Sequence, residues 1–305
     1  MEKSKEDFYK IVLDEITALK AAKDELKEVL EFYEDILKAQ REAKLAFRVD
    51  LRDFDVKSGH HRNSQGLPFL KPDDIQLDQD LFGGLLENIG KIIQSKTEKA
   101  ISTPLKKIYL EGEWETLLCG LMEDESSLQK IAVENNIDFV LLSFLVVQSL
   151  SPFLDSFAEK LRGNINPSWL RGYCPVCGAQ PLMARLESET GRKRLFCGLC
   201  HSEWWFRRLE CPFCENDNQE SLRYFYLEDE EAYRVDVCYK CKRYTKTVDA
   251  RKTESVRSLF AEDLATLPLD IIAEKEGFVS RAPYFPFWKR RSLRDGSYNP
   301  IRGKQ

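Results

Sequence analysis

The segment CGLCHSEWWFRRLECPFC, residues 197–214, places four cysteines within eighteen residues as two Cys-x-x-Cys pairs. A further pair lies on each side of it, Cys174/Cys177 and Cys238/Cys241. Nineteen residues separate the first pair from the second, ten the second from the third, and twenty-three the third from the fourth. Each wide gap resembles the spacing of a four-thiolate metal site, and the second gap is somewhat longer. The region is therefore an internal repeat, YCPVCG…LFCGLC followed by ECPFCE…DVCYKC.

The Cys-x-x-Cys spacing suits metal binding because a tight turn aims both sulfurs at one point and its backbone N–H groups can donate to the thiolates. A strand excursion that returns a second turn to the opposite side completes a tetrahedron. We therefore predict two metal sites, with ligands Cys174, Cys177, Cys197 and Cys200 in the first and Cys211, Cys214, Cys238 and Cys241 in the second. The short middle connection favours this sequential pairing, and an interleaved pairing of the first pair with the third is the alternative.

Two other cysteine chemistries fit the sequence less well. Cys-x-x-Cys is a poor structural disulfide spacing, and the N-terminus MEKSKEDFYK shows no signal peptide, which indicates a reducing compartment. A thioredoxin-like motif needs one pair opening a helix in a βαβ unit, whereas four pairs lie here among short strands. Sulfur-only tetrahedral sites suit iron or zinc. Four thiolates leave no open position for a substrate, so we predict structural sites and a protein that is not an enzyme.

Length and composition limit the remaining classes of function. A chain of 305 residues is long enough for two domains, and its net charge of −5 gives no general argument for nucleic acid or an anionic membrane. The longest strongly apolar stretch, FVLLSFLVV at residues 139–147, is far shorter than the roughly 18 residues that a spanning helix needs. We expect a buried helix there, no membrane span and a cytoplasmic protein.

The first half of the chain has the periodicity of helices. Residues 5–47 contain no Gly or Pro, and Leu26, Leu30, Tyr33 and Leu37 recur at spacings of three and four. The pattern breaks between residues 49 and 78, which predicts a connecting loop, and helical stretches return before residue 161. These stretches predict an all-helical bundle of about five to seven helices.

The second half changes to short segments rich in aromatic and β-branched residues, such as KRLFC, LRYFYLE and YRVDVC, which predict strands. Residues 261–278 predict a C-terminal helix. The predicted fold class is therefore α+β. It comprises an N-terminal all-helical bundle (1–163), two tandem rubredoxin-like or zinc-ribbon four-cysteine modules (164–210 and 211–252), and a C-terminal helix with an irregular tail (253–305).

Aromatic and basic residues near the third pair suggest a partner surface made of Trp204, Trp205, Arg207 and Arg208. Three adjacent aromatics on a strand, Trp204 to Phe206, cannot all face one side, so at least one is exposed or lies between domains. The alternative for the basic residues is charge compensation, because a divalent metal with four thiolates is a negatively charged centre. Residues 171–252 hold fifteen Lys and Arg against thirteen Asp and Glu, which offsets part of that charge.

The order of these segments resembles the FdhE family of formate dehydrogenase accessory proteins. A helical half is followed by YCPVCGAQPL, RLFCGLCHSEW, ECPFC and DVCYKC, which are the most specific part of the resemblance. Three more segments are similar to the family: GLPFL at 66–70, LSPFLDSFA at 150–158 and EDLATLPLDIIAEKEGF at 262–278. The resemblance runs from about residue 66 toward the tail, and the N-terminal helices are too generic to add to it.

The resemblance implies a cytoplasmic maturation factor, or chaperone, for respiratory formate dehydrogenase. Such a factor contacts the catalytic subunit before export and carries two rubredoxin-like iron sites. All eight paired cysteines carry over as ligands, and no catalytic residue carries over. A redox role of iron toward the client is a further hypothesis, because a four-thiolate iron can cycle by one electron.

Two other classes of protein are alternatives. A zinc-ribbon protein could grip a nucleic acid with arginines and aromatics, but the balanced charge of the cysteine region disfavours it, and we expect no nucleic acid partner. A rubredoxin-like electron-transfer protein would explain the cysteine pairs and leave the long helical half without a role.

Overall fold

Helices make up the first half of the chain. The computed structural model describes residues 7–49, 55–75, 77–97, 116–117, 125–227, 230–253 and 255–279. In this part of the chain six helices precede the first strand, namely α1 (Phe8–Ala22), α2 (Lys27–Ala46), α3 (Val56–Ser64), α4 (Gln79–Lys96), α5 (Glu125–Glu134) and α6 (Phe139–Leu161). Helix α2 packs against α1, α4 and α6, and α4 also packs against α6. One of the helical stretches predicted before residue 161, over residues 104–122, lies almost wholly outside the described residues.

Aspartates begin four of these helices. The side chains of Asp7, Asp55, Asp78 and Asp138 accept hydrogen bonds from backbone N–H groups in the first turns of α1, α3, α4 and α6. The first N–H groups of a helix have no partner within it, so a short carboxylate just before the helix satisfies one of them and offsets the helix dipole. The helix boundaries therefore rest on local chemistry, even where the packing is long-range.

Helix α6 contains the apolar stretch predicted to be buried. With the short turn that follows it, residues 139–164, it is long and apolar enough to cross a membrane by composition, but 78% of its most apolar window is buried inside the protein. Phe153, Leu154 and Leu150 on this helix have no exposed surface. Such burial is that of a core helix, and the helix continues through Pro152 without a break.

The predicted connecting loop between residues 49 and 78 is wrong in part, because it contains α3. Asp55 caps this helix, and its Gly59 lies so close to Phe69 that an added Cβ would stand 2.2 Å from the ring. The absence of a hydrophobic repeat in VKSGHHRNS hid the helix from the periodicity argument. Its contact with Phe69 is a tertiary one, so the sequence pattern could not reveal it.

Six strands form one sheet in the second half. They are β1 (Pro181–Leu186), β2 (Lys193–Cys197), β3 (Glu203–Phe206), β4 (Leu222–Tyr226), β5 (Tyr233–Cys238) and β6 (Arg243–Asp249). Their order is β3-β2-β1-β6-β5-β4. The pairs within each cysteine module are antiparallel, whereas β1 and β6 pair in parallel, with Met183 opposite Lys246 and Leu186 opposite Asp249. The two modules therefore share a continuous sheet, and the division of the chain into four domains stays a prediction.

The predicted C-terminal helix is present as two shorter helices, α7 (Leu259–Ala265) and α8 (Leu267–Lys275). They separate at Thr266, whose backbone leaves the helical region and whose hydroxyl donates to the carbonyl of Glu262 at 2.7 Å. Pro268 in the first turn of α8 has no N–H to continue the earlier helix. Helix α7 packs on β1, and α8 packs on β5 and β6. The predicted irregular tail lies outside the described residues.

Candidate metal centres

The eight paired cysteines form two compact clusters. Within each cluster all four sulfur atoms lie within 4.8 Å of one another. In the first cluster, the Sγ atoms of Cys174 and Cys200 are 3.4 Å apart and those of Cys177 and Cys197 are 3.6 Å apart. In the second, the two corresponding distances, Cys211–Cys241 and Cys214–Cys238, are both 3.7 Å.

These distances fit a metal better than a disulfide. A tetrahedron with metal–sulfur bonds of about 2.3 Å has sulfur–sulfur edges of about 3.8 Å, close to the separations observed. A disulfide bond would bring two sulfurs to about 2.05 Å, and all eight of these cysteines are free. The clusters could therefore each hold a metal ion, and the predicted sequential pairing of the cysteine pairs is confirmed.

The four Cys-x-x-Cys turns repeat one backbone conformation. The residue after each second cysteine is left-handed, with φ of 77° at Gly178, 56° at His201, 56° at Glu215 and 57° at Lys242. The N–H of that residue donates to the carbonyl of the first cysteine of its pair, at 3.0, 3.0, 3.0 and 2.8 Å in chain order. Each turn thereby closes on itself and directs both sulfurs to one side. The repeat read from the sequence is thus a repeat of geometry.

The strands bring the turns together in pairs. The first turn precedes β1 and meets the turn between β2 and β3, while the third precedes β4 and meets the turn that joins β5 to β6. The two centres differ in burial. All four cysteines of the first cluster are buried and belong to the same apolar core as the helical bundle, whereas Cys214 and Cys241 of the second are half-buried.

The GLPFL segment covers the first cluster. The backbone N–H groups of Phe69 and Leu70 donate to the carbonyls of Pro175 and Val176, at 2.8 and 2.9 Å. Phe69 and Leu70 are fully buried. Pro175 and Val176 are the two residues between the first pair of cysteines. The GLPFL segment therefore binds the loop after α3 directly to the first Cys-x-x-Cys turn.

Ionisation of the first cluster is opposed by burial. Desolvation raises the pKa of Cys177 and Cys197 well above the ordinary thiol value. Desolvation acts on Cys174 as well, but hydrogen bonds from Cys177, Cys197 and Cys200 outweigh it, so the pKa of Cys174 is lowered. Cys174 therefore ionises more readily than Cys177 and Cys197. A metal ion replaces the thiol protons when it binds.

The second cluster is more exposed and ionises more readily. Hydrogen bonding from Cys211 is the largest cause that lowers the pKa of Cys214, to about 2, and that of Cys238, to about 6. The reciprocal hydrogen bonds raise the pKa of Cys211 far above its usual value. Two sulfurs of the second cluster are therefore poised to be thiolates near neutral pH.

His201 is not a member of either four-cysteine cluster, but it connects the first cluster to the helices. Its ring stacks on Phe8 with centroids 3.8 Å apart, and its Nδ1 lies 3.2 Å from a carboxylate oxygen of Asp155. Burial raises the pKa of Asp155, but the hydrogen bond with His201 and the charge of Lys44 outweigh burial and lower it. These contacts connect helices α1, α2 and α6 to His201, the residue that follows Cys200.

The structure separates the four residues predicted to contact a partner. Trp204 is buried and its Nε1 donates to the carbonyl of Arg171 at 2.8 Å. Trp205 faces the other way and is half-buried, with the guanidinium groups of Arg192 and Arg194 4.0 and 4.1 Å from its ring centroid. This alternation is what a strand imposes on adjacent aromatics.

The two arginines after the strand point to different environments. Arg207 is exposed and pairs with Glu210 at 2.8 Å, whereas Arg208 is exposed at the edge of a cleft beside the second cluster. Their role in partner binding stays a prediction. Trp205, Arg207 and Arg208 have solvent-accessible side chains, whereas Trp204 is buried.

A buried ion pair that the sequence did not reveal connects the two modules. The ammonium of Lys193 on β2 lies 2.8 Å from Asp236 on β5, and both Arg234 and Thr247 lie 2.9 Å from the same carboxylate. Burial raises the pKa of Asp236, but the charges of Lys193 and Arg234 outweigh it and lower the pKa. Only the shared sheet brings these side chains together, so no local sequence signal could have found the pair.

Comparison with known proteins gives a consistent result. Residues 209–286 match the family model described as FdhE, C-terminal domain. The chain is 33% identical over 150 residues to a protein named FdhE homolog from Aquifex aeolicus (strain VF5), over 48% of this chain and 52% of that protein. It is 37% identical over 144 residues to an FdhE homolog from Pectobacterium atrosepticum, over 46% of this chain and 45% of that protein. The matches span about half the length of these relatives.

A solved structure extends the likeness to the whole fold. The crystal structure of the FdhE protein from Pseudomonas aeruginosa superposes with a TM-score of 0.62 over 91% of this chain and 94% of that chain, at 20% sequence identity. Helices, shared sheet and two four-cysteine clusters define a class of α+β protein with paired thiolate centres. Within that class the chain resembles the FdhE family, whose C-terminal domain model matches residues 209–286 and whose named relatives align with about half of this chain.

Proposed function

We propose that the protein is a cytoplasmic accessory factor for the maturation of respiratory formate dehydrogenase and that it binds the catalytic subunit before export. The observation that carries this proposal is the geometry of the centres: two four-thiolate clusters stabilise one sheet and leave no coordination position for a substrate. Such centres build a surface and perform no turnover. The likeness to FdhE proteins supports the choice of client, and the sheet shared by the two clusters supports the idea of a platform.

Each cluster supplies four sulfur ligands to one iron or zinc ion. When bound, the metal cross-links two turns that the strands already bring together, which in small zinc domains contributes on the order of 10–16 kcal/mol. The residues of the chain do the rest. The left-handed turns orient the sulfurs, the GLPFL segment excludes water from the first centre, and the half-buried second centre lies nearer the surface.

The half-buried ring of Trp205 between Arg192 and Arg194 is the contact we assign to the client. Tryptophan and arginine are the side chains that most often dominate protein interfaces. The two guanidinium groups hold the ring in place before a partner arrives, so little side-chain entropy is lost on binding. The nucleic-acid and electron-transfer alternatives are not favoured, since neither gives the helical half a role.

A capture experiment tests the proposal. Tagged protein, purified without oxygen from cells that make formate dehydrogenase, is compared with Trp205→Ala and with Cys197→Ser/Cys200→Ser. We expect at least tenfold less catalytic subunit with Trp205→Ala at unchanged metal content, and loss of capture with the cysteine variant. Val133→Ala, an 81% exposed residue on the helical half, is the matched control and should capture normally. Equal capture by folded Trp205→Ala and wild type contradicts the assigned surface.

Metal analysis of the same preparation identifies the ions. About two irons per chain with rubredoxin-like absorption bands support iron centres, and about two zincs support zinc centres. A preparation that holds only zinc excludes the redox hypothesis, because zinc does not change its oxidation state.

A further inference from the structure

A cleft lies on the sheet face opposite α7 and α8. Successive strand residues alternate between the two faces, and Tyr244 and Lys246 of β6 contact Asp270 of α8, so Arg243 and Thr245 face the other way. They line a cavity of about 340 Å³ between β4, β5 and β6 and the third Cys-x-x-Cys turn. A cavity of this size is at the lower end of the range for small-molecule sites.

The lining of the cleft has an excess of positive charge. Seven Lys and Arg and four Asp and Glu line it. All four carboxylates are paired: Asp236 with Lys193 and Arg234, Asp249 with Arg251, Glu231 with Lys252, and Glu210 with Arg207 outside the cleft. The cations that remain are three arginines, Arg208, Arg223 and Arg243.

These three guanidinium groups are not neutralised within the part of the chain that the structure describes. Arg223 donates only to the backbone carbonyls of Gln219 and Leu222, at 2.7 and 3.1 Å. Arg243 donates to the side-chain oxygen of Gln180 at 2.9 Å. Among the described residues none of the three meets a carboxylate. Three forked donors with uncompensated charge are therefore among the residues that line one cavity.

Thr245 adds a buried donor. Its side chain is 3% exposed, and its hydroxyl has no hydrogen-bond partner among the described residues. The residue lines the cleft on the same strand face as Arg243. A buried hydroxyl without a partner costs about 1–3 kcal/mol, and a ligand oxygen in the cleft would remove this cost once the Thr245 side chain rotates toward it.

Charge compensation of the second cluster is the competing explanation, because Cys211 and Cys238 also border the cleft. The contacts point elsewhere. Arg243 bonds Gln180 and its guanidinium lies over the Phe213 ring at 5.6 Å from the centroid, and Arg223 bonds carbonyls. Neither the excess of three cations nor the unpaired hydroxyl of Thr245 is needed to neutralise one thiolate centre.

We propose that this cleft binds a small molecule with a diphosphate group, with Arg208, Arg223, Arg243 and Thr245 as donors to the phosphate oxygens. The forked donors of a guanidinium group match the geometry of phosphate oxygens. A diphosphate has enough oxygens to accept from all four donor residues, whereas a single carboxylate has too few. Tyr224 and Tyr226 form the exposed rim, at 57% and 42%, and offer ring edges to an organic group such as a nucleoside. This inference does not depend on the proposed client.

Titration calorimetry on the full-length, metal-loaded protein tests the proposal at constant ionic strength. The probes are inorganic phosphate, inorganic pyrophosphate and ADP, with a glutamate-rich peptide as the competing class. We expect pyrophosphate and ADP to bind and phosphate to bind at least tenfold more weakly. Tighter binding of ADP than of pyrophosphate assigns the rim to a nucleoside, whereas equal binding assigns the site to the diphosphate alone. Tighter binding of the peptide overturns the proposal.

Two variants and one control complete the test. Arg223→Gln and Thr245→Val, which keeps the shape of the side chain, should each weaken pyrophosphate binding at least tenfold without changing metal content or the melting curve. Arg162→Gln, an exposed arginine at the end of α6, should bind like wild type. The proposal is overturned if wild type does not bind pyrophosphate, if both variants bind it unchanged, or if Arg223→Gln loses metal instead.

Discussion

The carbonyl oxygen of Pro212 lies so close to Gly172 that a Cβ added to the glycine would stand 2.0 Å from it. Gly172 is two residues before the first cysteine of the first cluster, and Pro212 follows the first cysteine of the second. The two metal centres are therefore in contact through their backbones as well as through the shared sheet. This contact fixes the distance between the two centres.

Gly172→Ala should disrupt that contact, because a backbone carbonyl cannot move aside as the end of a side chain can. We expect the free energy of unfolding to fall by about 3 kcal/mol, at the upper end of the cost of overpacking. Gly84→Ala is the control, since nothing lies within 4 Å of a Cβ there and the helix should gain about 0.5–1 kcal/mol. Denaturant unfolding of the metal-loaded proteins measures both, and an unchanged midpoint for Gly172→Ala would refute the contact.

The left-handed residue after each second cysteine predicts that adding a side chain at a glycine there costs more stability than removing one from a lysine there. Gly178→Ala should cost about 1–2 kcal/mol of unfolding free energy, because φ is 77° there and an L side chain is strained in that region. Lys242→Gly removes such strain at φ 57° but also loses the contact of the ammonium with the Tyr239 ring, so we expect a change below about 1 kcal/mol. Thermal unfolding of both variants checks this, and equal effects would contradict it.

Metal should leave the two centres at different rates. The sulfurs of the first cluster are buried under the GLPFL segment, whereas Cys214 and Cys241 are half-buried, so a chelator or thiol reagent reaches the second cluster first. We expect two kinetic phases of similar amplitude when metal release is followed with a colorimetric chelator. Cys241→Ser should remove the fast phase and leave the slow one. A single phase for the wild-type protein would mean that the centres open together.

The Asp236 carboxylate should make stability depend on pH. Its pKa is lowered in the folded protein, and an unfolded aspartate titrates near about 3.9, so its contribution is present above that pH and is lost as the pH falls through the folded pKa. Asp236→Asn should reduce the unfolding free energy by about 3 kcal/mol at pH 7, because Lys193 is left buried without a charge partner.

The gap between wild type and Asp236→Asn should begin to shrink below about pH 4, where the unfolded chain takes up the proton, and should close only as the pH falls through the lowered pKa of the folded carboxylate. Urea unfolding at pH 7, 5 and 3.5 measures it, with metal content followed in parallel because protons compete for the thiolates. Asp14→Asn, at an exposed position on α1, is the control and should differ little from wild type throughout. A gap that stays constant with pH would show that the lost contacts are not ionic.

Local features of the chain were predictable. The two-residue spacing within each pair of cysteines and the short connection between the second and third pairs led to the two clusters observed. The segments KRLFC and YRVDVC are strands β2 and β5, as their composition predicted. Among the described residues, helix periodicity failed where a helix lacks a hydrophobic repeat, as in α3, and where a single predicted helix is interrupted, as at Thr266.

Contacts between distant residues were not predictable. The parallel pairing of β1 with β6 joins residues sixty-three positions apart, and nothing in PLMARL or RYTKTVD specifies that partner. The cleft depends on it, because Lys193 of the first module and Thr245 of the second line the same cavity only when the strands share a sheet. The burial of Trp204 and the exposure of Trp205 likewise depend on which face of β3 meets the core.

The amino-acid sequence by itself determined the candidate metal ligands, the grouping of their cysteines and the helical character of the first half, because these follow from spacings of a few residues along the chain. Tertiary structure alone decided that the two metal centres touch, that a charged cleft opens beside the second, and which aromatic side chains remain accessible. The physical reason is that sulfur geometry and helix periodicity are local, whereas strand order and burial arise from contacts that only the complete fold brings together.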